Sequence, residues 1–405
     1  MYAAALQLPK CPAAASRLGK RLVSYMLGIE TSCDDTGIAI VDTTGRVHAN
    51  VLESQQKFHT RYGGIIPPRA QDLHRTRISA AYERCLEEAQ LQPEQLAGIA
   101  VTTQPGLPLS LIVGLRFARH LARRHRKPML PVHHMEAHAL QARMEHPNEI
   151  SYPYLCLLIS GGHSQLAMVY GPGRLTLLGE TLDDAPGEAF DKIARRLRLY
   201  VLPQYRLWNG GRAIEHAARN AENPTAFEFP LPLSQQRNCN FSFAGIKNNS
   251  FRAIRKRERE ERTPPDGIIS NYRDFCAGLQ NAVSRHLMHR TQRALEYCLE
   301  RQLFGSAPPT LVVSGGVANN DAIFENLNHL ASAYNCRCYR PSKLYCSDNG
   351  VMIAWHGIEQ LVQDRDQSLR LDIDNIDIAG SAGFQQSMVA DVELAAIKCK
   401  WIKTL

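Results

Sequence analysis

The residues of this chain best placed to do chemistry are two histidines, His134 and His138, in the stretch Val132-His-His-Met-Glu-Ala-His138. On a helix, a spacing of four is about 40° round the axis and about 6 Å along it, so both imidazoles can turn toward one ion. Two imidazoles do not hold a metal alone. The carboxylate of Asp348, in Cys346-Ser347-Asp348-Asn349-Gly350, is the candidate third donor. Two histidines and one carboxylate leave coordination positions open, as a catalytic site requires and a structural one does not. Such a set would take one divalent ion per subunit, and both iron and zinc suit it. Read in isolation, an H-x-x-x-H pair is more often a polar strip on a half-buried helix. A zinc protease of the H-E-x-x-H kind is excluded: Glu136 lies two residues after His134, roughly 200° round the helix, and points away from the ion.

Other candidates sit in turns. Asp34 and Asp35 form an acidic turn that could position an amine, a water or a metal, although paired aspartates in turns also serve local backbone hydrogen bonds. Ser160-Gly161-Gly162-His163-Ser164 follows the apolar run Leu158–Ile159, and its glycines let backbone N–H groups approach phosphate oxygens. Ser314-Gly315-Gly316-Val317 repeats the pattern ahead of Asn319 and Asn320. Asp191 lies in the first turns of a helix opened by Gly187, where it favours the helix dipole or accepts from a hydroxyl or amine. Phe241-Ser-Phe-Ala-Gly-Ile-Lys247 reads by itself as the end of a core strand.

The elements that would position these residues form a duplicated plan. Residues 26–32, 36–41 and 46–53 read as a three-stranded meander, and 154–160, 163–170 and 174–180 repeat it. Helical patterns follow each set: 71–89, 111–124 and 134–145 after the first, then 188–197, 211–219 and 274–301 after the second. Further strands fit 98–103 and 310–314, and 351–361 reads as an apolar helix returning to the first half. The expectation is an α/β chain of two lobes with a ligand cleft between them, the plan of actin-like ATPases and sugar kinases, the ASKHA fold. Lobe I would comprise 26–150 with 345–385, lobe II 151–344, and 386–405 a tail. Residues 252–262 read as an exposed helix of mixed charge.

The chain has 405 residues and a formal net charge of +8, a moderate excess that favours a polyanionic partner. Its 11 cysteines are scattered without a C-x-x-C, which excludes a zinc ribbon and a disulfide scaffold. No apolar run approaches the roughly 20 residues of a membrane span. From Met1 to Ile29 there are lysines, arginines and alanines but no acid, the composition of a mitochondrial transit peptide, with 1–25 as its extent and folding expected from near Tyr25.

Taken together, these stretches resemble the tRNA N6-adenosine threonylcarbamoyltransferases, TsaD and its relatives. The matches run in order through Leu27-Gly-Ile-Glu-Thr-Ser-Cys-Asp-Asp-Thr-Gly37, Tyr62-Gly-Gly-Ile-Ile-Pro67, His133-His-Met-Glu-Ala-His138 and Leu158-Ile-Ser-Gly-Gly-His163. They continue through Gly187-Glu-Ala-Phe-Asp-Lys192, Phe241–Lys247, Ser314–Val317 and Ser347-Asp-Asn-Gly350. With the basic N-terminus, the chain resembles the mitochondrial, single-subunit branch, which implies the matrix. The chain departs from the family after Pro67, at Leu207-Trp-Asn-Gly-Gly211, and at Ala318-Asn-Asn-Asp321, where the usual arginine is lost.

The resemblance implies transfer of a threonylcarbamoyl group from threonylcarbamoyl-adenylate to N6 of adenosine 37, in tRNAs reading codons that begin with A. It implies a metal on His134, His138 and Asp348. Leu158, Ile159, Ser160, Gly161, Gly162, Asp191, Gly211, Glu215, Asn319, Asn320 and Ser347 align with positions that hold the adenylate. Asp34 or Asp35 would handle the N6 proton. A separate threonylcarbamoyl-AMP synthase would supply the substrate, and the branch resembles a homodimer. Residues 116–127, with six Arg or Lys, and 195–198 are candidate surfaces for the tRNA backbone. The competing expectations are an ATP-dependent phosphotransferase of the same fold, which does not explain the histidines, and a non-catalytic tRNA-binding scaffold, which would tolerate loss of His134.

Overall fold

A computed structural model describes residues 23–62, 64–363 and 373–405. The proposed transit segment lies almost wholly outside them. The first strand, β1 (Tyr25–Glu30), pairs antiparallel with β2 (Asp35–Asp42), which pairs with β3 (Val47–Ser54). A short helix α1 (Gln56–Arg61) and α2 (Pro67–Ala89) lead to β4 (Leu96–Gln104), parallel to β1. Helix α3 (Pro108–His125) returns the chain to β5 (Met129–His133), which runs directly into α4 (His134–Glu145). The sheet order is β3-β2-β1-β4-β5.

The second half repeats this. Strands β6 (Tyr154–Ile159), β7 (Ser164–Gly171) and β8 (Arg174–Glu180) form the meander. Helices α5 (Pro186–Arg196), α6 (Gly210–Arg219), α7 (Ala244–Glu261) and α8 (Tyr272–Glu300) follow. Then β9 (Thr310–Ser314), α9 (Asp321–Ala333), β10 (Arg337–Tyr339) and α10 (Gly350–Gln363) complete the plan. The order β8-β7-β6-β9-β10 copies the first sheet.

Two differences from the sequence reading have local causes. Strand β5 is only five residues long and contains Pro131, so its pattern is weak. Phe241 makes an isolated bridge to Thr181, and the chain turns helical at Ala244, so the aromatic motif opens α7 and does not end a long strand. The mixed-charge segment is the distal part of that same helix.

Residues 386–405 pack on the second sheet. There β11 (Gln386–Ser387) pairs parallel with β8, and α11 (Val389–Ala395) buries Val392. Arg293 on α8 donates to the Ile397 carbonyl, and the Trp401 ring stacks on His289 at 4.0 Å.

Helices α4 and α10 lie between the sheets. Met26, Ala39, Val41 and Ala100 of the first sheet and Cys156, Leu158 and Val312 of the second share one buried cluster with Met135, Leu140, Val351 and Ile353. Residues 350–359 of α10 are all buried, as expected for a largely apolar helix between two sheets, and its last turn emerges to solvent. Its approach is close: a Cβ on Gly28 would lie 2.1 Å from the Gly350 carbonyl oxygen. None of the helices in the described residues is long and apolar enough to cross a membrane.

Candidate metal centre

Because β5 passes into α4 without a loop, His134 is the first residue of the helix and His138 lies one turn on. Asp348 comes from the short segment that enters α10. Helix α4 and the lead-in to α10 therefore carry the whole donor set. His138 Nε2 lies 3.1 Å and His134 Nε2 3.5 Å from the same oxygen, Asp348 Oδ1. With bonds of about 2.0–2.2 Å, ligand atoms around one ion sit roughly 3–3.5 Å apart, so these distances fit the edges of a coordination polyhedron. Among the described residues this is the group of His, Cys, Asp or Glu donors that could share an ion, with one atom from each all within 4.8 Å.

The sequence reading missed a residue behind this trio. Glu30, the last residue of β1, is fully buried. Its Oε2 lies 3.1 Å from His134 Nδ1 and accepts from Thr102 Oγ1 at 2.6 Å. This is the carboxylate–histidine arrangement that fixes ring orientation at metal sites and leaves Nε2 for the ion. Its signal in the sequence is an acid inside an apolar strand, which must be paired to be tolerated. The Nδ1 of His138 is buried without a partner.

The electrostatics reflect these contacts. Burial disfavours charge on His134, but Glu30 and Asp348 outweigh it and raise its pKa to about 9. Burial likewise pushes Asp348 upward, yet His134 and His138 hold it well below the usual carboxylate range. His163, after the first Ser-Gly-Gly turn, is depressed to about 4 by burial and by the neighbouring His134 and His138. It is a neutral imidazole beside the centre, a second residue the sequence reading did not single out.

The acidic turn joins β1 to β2. Burial, then the adjacent Asp34, lift the Asp35 carboxyl to about 7, and Asp348 adds to the effect. Burial also raises Asp34. Asp35 Oδ1 is buried and unpartnered. Two carboxylates thus sit close enough to the metal trio to feel its charge.

The remaining candidate residues fall into three groups. Ser160 Oγ accepts from the backbone of Gly162 and His163, closing its own turn. Gly315 has φ +98°, and a Cβ there would lie 2.4 Å from the Ile159 carbonyl oxygen, so the second Ser-Gly-Gly turn abuts the end of β6 below Leu158 and Ile159. Ser347 lies near Gly316, and Gly161 near Gly187 at the start of α5. These turns and helix starts are brought together. Asp191 accepts from the Gly210 N–H at 2.6 Å, which fixes the entry to α6 and places Gly211 beside it. Glu215 accepts from the Asp321 N–H and from Arg219. Asn320 caps α9 through Ile323 and donates to Gln280, so both ends of its amide are committed to the protein, whereas Asn319 Oδ1 is buried and unpartnered. Where the family's arginine is lost, Asp321 instead gathers Arg219, Arg340 and Lys343.

Of the two basic candidates, Arg196 and Arg198 are tied to Glu258. On α3, Arg116, Arg119, His120, Arg123 and Arg124 line an open cavity of about 510 Å³. Arg119 and Arg123 also hold the segment at Ile373–Ile376.

Known proteins resemble the chain in both sequence and fold. A relative from Drosophila melanogaster, named probable tRNA N6-adenosine threonylcarbamoyltransferase, mitochondrial, is 77% identical over 388 residues, 95% of each chain. The human protein named tRNA N6-adenosine threonylcarbamoyltransferase, mitochondrial, is 45% identical over 340 residues, 84% of this chain and 81% of its own. In fold, the crystal structure of T. kodakarensis HypF aligns with 84% of this chain and 48% of its own, at a TM-score of 0.52 and 14% identity. The family profile described as TsaD, tRNA N6-adenosine threonylcarbamoyltransferase, matches residues 46–355. The chain belongs to the TsaD family.

Proposed function

We propose that this chain is a mitochondrial acyltransferase that moves the threonylcarbamoyl group from L-threonylcarbamoyl-adenylate to N6 of adenosine 37, in tRNAs reading codons that begin with A. The observation that carries the reading is the convergence of His134, His138 and Asp348 on one point, with the Asp34-Asp35 turn close enough to sense it. In the reaction the adenine N6 attacks the carbamoyl carbon, the bond from that carbon to the phosphate oxygen breaks, and AMP leaves. The amine loses a proton in the process.

The donor is a mixed anhydride and departs readily, so the enzyme's burden is to orient a weak amine and take its proton. His134, His138 and Asp348 would hold a divalent cation, which when bound would supply Lewis acidity toward a carbonyl or phosphate oxygen. The donor types and spacing fit iron or zinc alike. Glu30 holds the His134 ring so that its Nε2 faces the ligand position. The Gly161 N–H of the Ser160–Gly162 turn and the Ser314–Gly316 turn face the phosphate, with Leu158, Ile159 and Ser347 beside them and Asp191, Gly211, Glu215, Asn319 and Asn320 around the nucleoside. Asp35, titrating near 7, is matched to accepting a proton at neutral pH, and Asp34 is its neighbour in that task.

Adenosine 37 lies in a single-stranded loop, so little unpairing is needed. The basic lining of α3 suits the flanking phosphates. A separate synthase makes the adenylate, and the chain acts as a homodimer. The test supplies the purified protein with threonylcarbamoyl-adenylate labelled in its acyl group and an unmodified tRNA. Label recovered as a modified nucleoside, and absent when position 37 is guanosine, is the expected result. Label that stays off the tRNA while ATP is consumed would instead support a phosphotransferase.

A further inference from the structure

Helix α2 packs Ala70, His74, Ile78, Ala81 and Cys85 against the first sheet. In that otherwise small and apolar row His74 is fully buried, and both ring nitrogens have partners on one turn of the chain. Its Nε2 lies 3.0 Å from the Cys33 carbonyl oxygen, and its Nδ1 lies 2.7 Å from Thr36 Oγ1. A carbonyl only accepts, so Nε2 carries the proton and Nδ1 accepts from the threonine hydroxyl. The two anchor points bracket Asp34 and Asp35.

We infer that His74 is a positioning residue: a neutral strut that holds the Cys33–Thr36 turn closed, so that the two carboxylates stay together beside the metal trio. The inference rests on the proposed role of that turn in proton transfer. Asp35 faces Asp34 and Cys33 on its own turn, and Asp348 from the segment before α10. Asp35 pairs with Ser54 at the end of β3, the Gln55 N–H donates to the Asp34 carbonyl oxygen at 3.2 Å, and His59 of α1 faces Asp34. Asp34 and Asp35 repel one another and favour an opened, hydrated turn, and His74 ties both ends of that turn to a helix. An aliphatic side chain of similar size would fill the space but leave the Cys33 carbonyl and the Thr36 hydroxyl unpaired. Burial also keeps His74 below the ordinary histidine range, so it stays uncharged at working pH.

The test uses the full chain labelled with carbon-13 at the aspartate carboxyls, with D35N identifying one signal. In the wild type that carboxyl is expected to titrate near 7. In H74L it is expected to fall by about two pH units as water enters, and in the nearly isosteric T36V by about one. H74Q, whose amide can donate to the Cys33 carbonyl, should recover at least about half of the shift. In transfer assays, kcat should drop about tenfold or more, with the KM for tRNA within about twofold and the acid limb of the pH profile moved by the same amount as the carboxyl. Folded H74L and T36V with an unmoved titration and acid limb would overturn the inference. If H74L does not fold, T36V decides alone. A titration that moves in a protein unable to modify tRNA would keep the strut and reject the assigned reaction.

Discussion

At the scale of single residues, Asp35 carries the clearest conflict between folding and chemistry. Its folded pKa of about 7 lies above the 3.8 of an ordinary aspartate. Between those values the folded protein binds more protons than the unfolded chain, so stability falls as pH rises from about 4 to about 7. D35N removes that cost. It should stabilise the fold at pH 8 by about 2–4 kcal/mol relative to wild type, with the gain gone at pH 4, while lowering kcat at least about a hundredfold. Denaturant titrations at the two pH values, set beside transfer rates, check both halves. Glu30 makes a second case. E30Q keeps the shape but loses the charge opposite His134, and metal affinity should fall about 10- to 100-fold with little change in fold, as read by competition with a chelator. The spacing of His134 and His138 was legible in the sequence because one helix carries both. Glu30 was not, because an acid at the end of an apolar strand shows its partner only once the strand and helix are packed. Asp348 was reachable only through a motif far along the chain, since neither period nor propensity connects it to α4.

At the scale of elements, the geometry of the centre depends on how closely α10 approaches β1. Gly28 and Gly350 meet backbone to backbone, and an added Cβ at Gly28 would collide with the Gly350 carbonyl and the Ala354 amide. G28A should push the helix off the sheet, at a cost of about 1–3 kcal/mol or more. Because Asp348 enters that same helix, metal content per folded chain should fall as well. A control such as I358V, which trims the buried face of α10 away from Asp348, should cost about 0.5–1.5 kcal/mol and leave metal content unchanged. Thermal melts and metal analysis of the two variants separate the outcomes. Both meanders and the long helices were visible in the sequence, since alternation and helical period are strong over those lengths. Strand β5, the start of α7 and the three-residue β10 were not. They are short, and tertiary pairing more than local pattern makes them strands or helices.

At the scale of the whole molecule, one buried cluster spans both sheets, with α4 and α10 at its centre. The donor set therefore sits on the seam that joins the halves, and the turns of both sheets face it. The chain beyond residue 385 contributes at the outer edge by covering β8 and the polar face of α8. Removing 386–405 strips the cover from Val392's site and leaves the side chains of Gln292 and Arg293 without those partners. It should cost roughly 3–6 kcal/mol and lower the Tm by about 10 °C. Metal content of the surviving folded protein should not change, because Val392 packs with α8 against one face of β6 while α4 and α10 pack against the other.

The metal role is tested most sharply by measuring transfer of the threonylcarbamoyl group to adenosine 37 by H134A and D348A, alongside metal content and circular dichroism. Both variants should fold yet lose most bound metal and about a hundredfold or more in rate. Folded variants that lack the metal but modify tRNA at the wild-type rate would contradict that role.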